Sequence, residues 1–327
     1  MKELISRFPD QLAEALQVFR KQQLPELPSS ISQILVCGLG GSGIGGTILA
    51  ELGNARSRVP LFVSKDYFPP SWMGRETLVI ISSYSGNTEE TLEVFRQAIK
   101  SGSMIICITS GGEVEQIAKT HQIPVIRIPG GHPPRACLGY SFTQLCGIVD
   151  HYGIVPGLLS ELEGAVSFLT AAQASIMAEA ESIARGIAFS MPVIYTSADY
   201  EGVAVRMRQQ LNENAKMLCW HHVVPEMNHN ELVGWAEKHP KIAAIFLRNS
   251  DEYYRTSRRM EICRVIIEGL AGKTLEINAK GENRIQRLLF WIHLGDWISW
   301  FASLERNMDA MEIDVINRLK ADLAALS

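Results

Sequence analysis

The chain contains 327 residues, of which 46% are hydrophobic and 20% are charged, so it can bury a large core and lacks the composition of a disordered protein. Lysine and arginine total 31 against 35 aspartate and glutamate residues, which gives a formal net charge of −4. That balance argues against a protein that binds the phosphate backbone of a nucleic acid, which typically carries a basic excess. The length suggests about two domains.

The sequence also indicates the cellular compartment and whether the chain spans a membrane. The N-terminal residues lack the apolar stretch of a secretory signal, and their apolar positions recur at helical spacing. The most apolar late segment, residues 288–304, contains His293 and Asp296 and is too short and too polar to span a bilayer. Six cysteines without a Cys-x-x-Cys pair are typical of reduced thiols. We therefore expect a cytoplasmic protein with no membrane or nucleic-acid partner.

Short apolar strands alternate with helices in the first half of the chain. An amphipathic N-terminal helix comes first, and a glycine cluster with an apolar helix to residue 52 follows the first strand. Strands are predicted at 34–37, 61–63, 78–81, 104–108 and 125–128, and later helices at 88–100, 113–121 and 136–151. Because these strands are apolar throughout, they indicate a parallel sheet covered by helices on both faces, a doubly wound α/β domain.

A second alternation follows a predicted boundary at residues 153–160. It predicts helices at 161–186, 201–215, 252–269, 282–304 and 312–325, and strands at 193–195, 216–220, 242–247 and 274–277. We expect an α/β protein of two doubly wound, flavodoxin-type parallel-sheet domains, residues 1–153 and 154–327, with C-terminal helices. A cleft between two such domains is the usual place for a small-molecule site. One late stripe at helical spacing is interpreted as core or as a dimer face; it comprises Phe290, Leu294, Trp297, Phe301 and Leu304.

The glycine cluster between the first strand and its helix indicates an anion site. Gly38, Gly40 and Gly43 satisfy the G-x-G-x-x-G pattern of dinucleotide-binding loops. Glycines allow the backbone to approach an anion closely, and the free N–H groups at a helix start attract negative charge. The spacing alone leaves three interpretations open, namely a dinucleotide, a sugar phosphate, or glycines required only for tight packing.

A second loop favours one small phosphate over a dinucleotide. The strand that should end in a ribose-binding acidic residue runs instead into Ser64 and Lys65. Residues 82–88 place five hydroxyl groups and a glycine between a strand and a helix. N-capping explains one or two of these hydroxyls, but not all five. Two such loops, each following a strand, would together form a cradle for a single phosphate.

These loops and three later segments resemble the bifunctional phosphoglucose/phosphomannose isomerases, a branch of the phosphoglucose isomerase superfamily built from sugar-isomerase (SIS) domains. The matching segments are GLGGSGIGG (38–46), SSYSGNTEET (82–91), PPR (133–135), QLNENAK (210–216) and NHNE (228–231). The SIS loop is shared by many phosphosugar proteins, whereas its combination with Arg135, Glu213 and His229 is specific to this family. The resemblance covers nearly the whole chain and implies two SIS-like domains, the second of which carries the catalytic base.

The resemblance implies roles for individual residues. Arg135 would lie over the reacting carbons, and Glu213 would move a proton between C1 and C2 of the sugar. His229, donated by the neighbouring subunit of a homodimer, would assist ring opening, and Lys320 is the candidate for a lysine that joins this step in the family. The substrate phosphate would be held by residues of the two loops, Gly41, Ser42, Ser83, Ser85 and Thr88.

Aldose–ketose chemistry accounts for these residue types independently of the resemblance. A carboxylate can take a carbon-bound proton and return it to the adjacent carbon. The proton loss leaves an enediolate, which a permanently charged arginine stabilises, and a histidine titrates in the range that ring opening requires. We therefore expect an isomerase of hexose 6-phosphates, acting on glucose and fructose 6-phosphate and also on mannose 6-phosphate, that requires neither a metal nor another cofactor.

Other interpretations stay open at this point. A non-catalytic SIS protein that binds a phosphosugar and regulates a partner is the main alternative, and a nicotinamide enzyme is a weaker one. Taken alone, Glu213 is more typical of a helix surface, and His229 lies near His221 and His222, which suggests a zinc site although no short ligand motif fits. The family's C-terminal threonine, which is tied to mannose acceptance, is missing, since the last threonine is Thr274.

Overall fold

The computed structural model describes residues 1–325 and contains two parallel β-sheets flanked by helices. The strands are β1 (Gln33–Cys37), β2 (Leu61–Ser64), β3 (Thr77–Ser83), β4 (Met104–Thr109), β5 (Val125–Arg127), β6 (Met191–Ser197), β7 (Trp220–Val224), β8 (His239–Arg248) and β9 (Ala271–Asn278). The helices are α1 (Lys2–Ser6), α2 (Phe8–Arg20), α3 (Gly40–Asn54), α4 (Glu89–Ser101), α5 (Gly112–Thr120), α6 (Leu138–His151), α7 (Leu158–Ile187), α8 (Glu201–Ala215), α9 (Tyr254–Glu268), α10 (Arg284–Glu305) and α11 (Asp314–Ala324). Residues 326 and 327 of the predicted second domain lie outside the described residues.

The first sheet has the strand order β2-β1-β3-β4-β5, and all of its strands are parallel. This is the flavodoxin-type order, in which successive crossovers run to opposite sides of β1. Alternate residues of β1 and β3 belong to different apolar clusters, so Ile34 and Ile80 face one layer of helices while Leu35 and Val79 face another. Burial on both faces explains why these strands read as uninterrupted apolar runs.

The second sheet has the order β7-β6-β8-β9, again with all strands parallel. It repeats the topology of the first sheet without a fifth strand. The predicted fold class, two flavodoxin-type parallel sheets with C-terminal helices, is therefore confirmed. The division of the chain at residues 153 and 154 stays a prediction, because one apolar cluster extends from Ile5 to Ala302 and includes strands of both sheets.

A central layer of helices joins the two sheets. Helix α10 packs against α7 and α8, and α3 packs against α6 and α8. Trp291 and Trp297 of α10 are among the largest fully buried side chains. Phe290, Leu294 and Trp297 of the predicted stripe lie in the core, whereas Leu304 is exposed. Although α10 is long and buried, no helix within residues 1–325 combines the length and the hydropathy needed to cross a membrane.

One predicted strand was wrong. Of the residues predicted as a strand, 216–219 form the loop after α8, and the strand begins at Trp220 and ends at Val224. Lys216 adopts a left-handed conformation with φ of +52°, which ends α8 and turns the chain away from a strand. A short apolar run such as residues 217–219 has no periodicity that separates a strand from a loop. The predicted N-terminal helix is also divided, into α1 and α2, at Arg7.

Glu51 of α3 links the two halves by binding the N-terminus of α8. Its Oε1 atom accepts a hydrogen bond from the backbone N–H of Gly202 at 2.7 Å. Acidic groups are favourable at helix N-termini because the unpaired N–H groups there carry partial positive charge. Burial nevertheless raises the pKa of Glu51 to about 8, against the lowering effect of the Gly202 hydrogen bond. The contact fixes α3, which begins in the glycine cluster, relative to α8.

We expect the Glu51→Gln variant to gain stability relative to the wild type as the pH rises. The folded-state pKa lies above the ordinary value of 4.5, so the folded protein holds this proton more tightly than the unfolded chain does. The contribution of Glu51 is thus fully present at low pH and is lost as the pH rises toward 8. Urea denaturation at several pH values between about 5 and 8 should measure this. The unfolding free energy of Glu51→Gln should rise relative to that of the wild type, by at most about 1.4 kcal/mol per pH unit. A difference that does not change with pH would contradict this account.

Candidate active site

The two predicted phosphate loops lie side by side at the carboxyl ends of β1 and β3, which are neighbouring strands. The chain leaves β1 toward one side of the sheet and β3 toward the other, and such a switch point is where ligands bind in open α/β sheets. Ser42 in the first turn of α3 accepts a hydrogen bond from the Tyr84 backbone N–H at 3.0 Å. The structure therefore brings Ser42 and the SSYSGNTEET loop together.

Gly41 connects the glycine cluster to the segment that carries Arg135. A Cβ atom at Gly41 would lie only 2.9 Å from the carbonyl oxygen of Pro134. Any side chain at this position would push the two segments apart, so the glycine is required for packing as well as for access to an anion. The packing and anion-site interpretations of the cluster are thus compatible.

Hydroxyl groups of the second loop surround the start of α4. Ser83 is buried, and its hydroxyl donates to Thr88 Oγ1 at 3.3 Å. Ser85 is exposed, and its Oγ atom accepts from the Asn87 backbone N–H at 3.3 Å. Thr88 precedes the first residue of α4, and no side-chain cap occupies the N–H groups of that helix start. Hydroxyl donors and exposed helix N–H groups are what a phosphate dianion requires.

The loop after β4 supports the phosphate loop, and the sequence reasoning missed it. Asn87 Oδ1 accepts a hydrogen bond from the Glu113 backbone N–H at 2.9 Å, so it caps α5 from the neighbouring loop. Gly112 has φ of +73°, and a Cβ atom there would lie 2.5 Å from the carbonyl oxygen of Ser85. The available signal was the Gly111-Gly112 pair between a predicted strand and a predicted helix, in the same position as the other two loops.

Arg135 lies at the centre of the site and is only 3% exposed. Its Nε–H donates to Asn214 Oδ1 at 2.8 Å, and its Nη2 donates to the carbonyl oxygen of Ala310 at 2.6 Å. Burial lowers the pKa of Arg135, while the nearby Glu213 carboxylate raises it. Arginine stays protonated in proteins, so the site contains a fixed positive charge.

Glu213 faces this charge from the last turn of α8. Its Oε2 atom lies 3.4 Å from Arg135 Nη1, and its side chain is 30% exposed. The predicted base and the predicted cation are thus adjacent, although they lie far apart in the sequence. A carboxylate that is part-buried beside a fixed cation and still open to solvent can exchange protons with a bound molecule.

Lys216 ties the end of α8 to the C-terminal segment 309–312, a contact that the sequence reasoning did not anticipate. Its Nζ atom donates to the carbonyl oxygens of Glu213, Asp309 and Glu312 at 2.8, 2.6 and 2.8 Å. Segment 309–312 also supplies the Ala310 carbonyl that binds Arg135. The two cations together hold this segment beside the site.

His229 and Lys320 are the predicted site residues that the structure does not bring to Arg135. His229 is exposed at the end of a short 3-10 turn after β7, and Lys320 is exposed on α11. Within residues 1–325, neither side chain forms a hydrogen bond or ion pair with Glu213 or Arg135. Their participation therefore stays a prediction.

The histidines of β7 have separate acidic partners. His221 Nε2 lies 3.3 Å from Glu201 Oε1, and His222 Nδ1 lies 3.0 Å from Glu231 Oε2. Across residues 1–325, no three histidine, cysteine or acidic side chains are grouped so that they could hold a metal ion. The described chain gives the zinc interpretation no support.

Known proteins of similar sequence agree with the geometry of this site, because they are named isomerases of phosphorylated sugars. A protein of Caldicellulosiruptor bescii named bifunctional phosphoglucose/phosphomannose isomerase is 32% identical over all of this chain and 99% of its own length. The chain belongs to this family. A relative of the same name from Aquifex aeolicus is 33% identical over 89% of this chain and 90% of its own length. The predicted family is thereby confirmed, and with it the class of enzyme, an isomerase.

A family model and a solved structure match as well. The model for the bacterial phospho-glucose isomerase C-terminal SIS domain matches residues 176–323. The C-terminal domain of glucosamine-fructose-6-phosphate aminotransferase from Francisella tularensis has a TM-score of 0.77 at 15% identity, covering 96% of this chain and 98% of that one. At that identity the likeness shows the fold alone, and it agrees with the two parallel sheets described above.

Replacing Gly112 with alanine tests whether the β4–α5 loop shapes the phosphate loop. Because the new Cβ atom would collide with the Ser85 carbonyl, we expect the phosphate loop to move and the KM for a hexose 6-phosphate to rise by about tenfold. Gly153→Ala is the matched control, since Gly153 has φ of +66° and no atom within 4 Å of the added Cβ. Both variants should lose about 1–2 kcal/mol through backbone strain, but only Gly112→Ala should change KM in steady-state kinetics. Equal KM values would contradict the supporting role.

Proposed function

We propose that the protein interconverts glucose 6-phosphate and fructose 6-phosphate, and also accepts mannose 6-phosphate, by transferring a proton between C1 and C2 of the opened sugar. The observation that carries this proposal is the 3.4 Å approach of Glu213 Oε2 to Arg135 Nη1 in a chain that belongs to the bifunctional isomerase family. The hydroxyl loops that follow β1 and β3 supply the second requirement, a grip on phosphate.

The hydroxyl groups are oriented so that they can donate to a phosphate. The Oγ atoms of Ser42 and Ser85 each accept a backbone N–H, which leaves their own hydrogens for a ligand. Thr88 Oγ1 accepts from Ser83 and is likewise left with its hydrogen. Holding the phosphate at C6 orients the distant reacting carbons and supplies binding energy to the chemical step.

Glu213 and Arg135 divide the chemistry at the reacting end. The Glu213 carboxylate removes the proton from C2 of an open-chain aldose, the electron pair of that C–H bond forms the C1–C2 double bond, and the C1=O π pair moves onto O1 to give an enediolate. Arg135 stabilises the negative charge that develops on oxygen at that point. Return of the proton to C1, with transfer of the C2 hydroxyl proton to O1 and formation of the C2=O bond, gives the ketose, so atoms and electrons balance within one sugar molecule and no oxidant or reductant is consumed.

Ring opening is assigned to His229 of a second subunit, with Lys320 as its candidate partner. His229 is exposed and lies on a turn that follows an edge strand, so it is available to a neighbouring molecule. A homodimer that exchanges this histidine between subunits is therefore part of the proposal. We further propose that the enzyme works in the cytoplasm, where hexose 6-phosphates and reduced thiols occur together.

The Glu213→Gln variant tests the proposal directly. If Glu213 is the base, its loss should lower kcat for fructose 6-phosphate by about a thousandfold, because glutamine cannot take a proton from carbon. The KM should change little, since the phosphate loops are intact. Glu268→Gln, which removes an exposed carboxylate at the end of α9, serves as the control and should retain wild-type kinetics.

Two results would contradict this assignment. Full activity of Glu213→Gln would show that Glu213 is not the base. Wild-type protein that is stabilised against heat by fructose 6-phosphate but does not convert it would favour a binding protein.

A mixing experiment tests the dimer. After subunit exchange, a mixture of Glu213→Gln and His229→Ala should recover about one quarter of the wild-type activity through hybrid sites. No recovery after verified exchange would show that His229 is not shared between subunits.

A further inference from the structure

Asn214, the residue after the proposed base, is fully buried, and both ends of its side-chain amide are occupied. Its Oδ1 atom accepts the hydrogen bond from Arg135 Nε–H at 2.8 Å. Its Nδ2 group donates to Ser299 Oγ on α10 at 2.9 Å. Asn214 therefore connects the central arginine to a helix that the proposed mechanism does not otherwise use.

Ser299 determines which way the Asn214 amide faces. The Ser299 hydroxyl donates its hydrogen to the backbone carbonyl oxygen of Asp296 at 2.7 Å, so its oxygen can only accept from Asn214. The NH₂ group of Asn214 must consequently face Ser299, and its carbonyl oxygen must face Arg135. Reversing the amide would place the Asn214 NH₂ group against Arg135 Nε–H. Two hydrogen-bond donors would then face each other in a buried position, and neither would have an acceptor there.

The backbone of Arg135 is held by the same face of α8. Arg206 Nη2 donates to the Arg135 carbonyl oxygen at 2.6 Å, and Arg206 is itself paired with Asp296 at 2.8 and 3.1 Å. Gln210 adds a hydrogen bond to Asp296 at 2.8 Å. Positions 206, 210 and 214 are four residues apart and share one side of a helix. One helix face therefore fixes both the main chain and the side chain of Arg135.

These contacts determine which part of the guanidinium reaches the substrate. Arg135 Nε is bound to Asn214, and Nη2 is bound to the Ala310 carbonyl oxygen, so Nη1 is the nitrogen that faces Glu213. Asn214 is a neutral acceptor, which holds the guanidinium without compensating its positive charge. A carboxylate in the same place would reduce the charge available to an enediolate.

We propose that Asn214 is a positioning residue that, supported by Ser299, directs Arg135 Nη1 toward the reacting carbons without adding a second negative charge beside the guanidinium. This inference rests on the proposed function, because it assigns Arg135 the task of stabilising an enediolate. Asn214 acts through Arg135, and it has no contact with the hydroxyl groups that hold the phosphate.

The test compares Asn214→Ala with Gln144→Ala. Gln144 is also a fully buried amide, and it donates to the Ala15 carbonyl oxygen at 2.8 Å without a hydrogen bond to Arg135, Asn214 or Ser299, so its loss removes a buried amide outside this network. We expect kcat for fructose 6-phosphate to fall by about ten- to a hundredfold in Asn214→Ala, because Arg135 can then turn away from the reacting carbons. The KM should stay within about threefold of the wild type, since the phosphate grip is intact. Gln144→Ala should keep wild-type kcat and KM.

Two outcomes would overturn the inference, and both require active wild-type enzyme. The first is a kcat for Asn214→Ala within about twofold of the wild type, and the second is an equal loss of kcat in Gln144→Ala. If Asn214→Ala fails to fold, Ser299→Ala takes its place, with a smaller fall in kcat expected and an unchanged kcat overturning the inference. Wild-type protein without isomerase activity would instead refute the proposed function, so the two failures are distinguishable.

Discussion

The rest of the site depends on the hydrogen bonds that satisfy the buried guanidinium of Arg135. A charge removed from water is destabilising unless its N–H groups find acceptors, so the fold must bring acceptors to it from several directions. Asn214 and Glu213 come from α8 of the second half, and carbonyl oxygens come from the C-terminal segment 309–312. The segment that carries Arg135 packs against the glycine cluster of the first half. The hydrogen-bonding needs of one arginine thus bring together the glycine cluster, the proposed base Glu213 and the C-terminal segment.

The two ends of the site use different kinds of polar group. The end proposed to bind the phosphate offers hydroxyl groups and helix N–H groups, which are able to hold a dianion without a full positive charge. The end proposed to face the reacting carbons contains the arginine, whose positive charge would then be available for charge that develops on the sugar oxygens. This arrangement explains how a chain with a net charge of −4 can bind a phosphosugar. Local geometry, rather than an overall basic character, provides the attraction.

Much of the fold could be predicted from the sequence, whereas the polar interior could not. Strands buried on both faces and glycine-rich loops leave clear local patterns, but the apolar residues 217–219 do not, and the strand predicted there was wrong. Arg135 and Glu213 were identified by resemblance, since an arginine after two prolines and a helical glutamate carry little signal alone. Ser299 supports them from 85 residues beyond Asn214, and only the packing of α8 against α10 reveals that link. His229 is a different case, because its proposed role requires a second chain.

The most direct test of the account is the kcat of the Arg135→Lys variant with fructose 6-phosphate. Lysine keeps the positive charge but presents three donors on one atom, so it cannot bind Asn214, the Ala310 carbonyl and the substrate as the guanidinium fork can. The account predicts that kcat falls by about a hundredfold or more, while the inhibition constant of inorganic phosphate stays within about threefold of the wild type. A lysine variant with wild-type kcat would show that charge alone suffices and would contradict the central place given to this arginine.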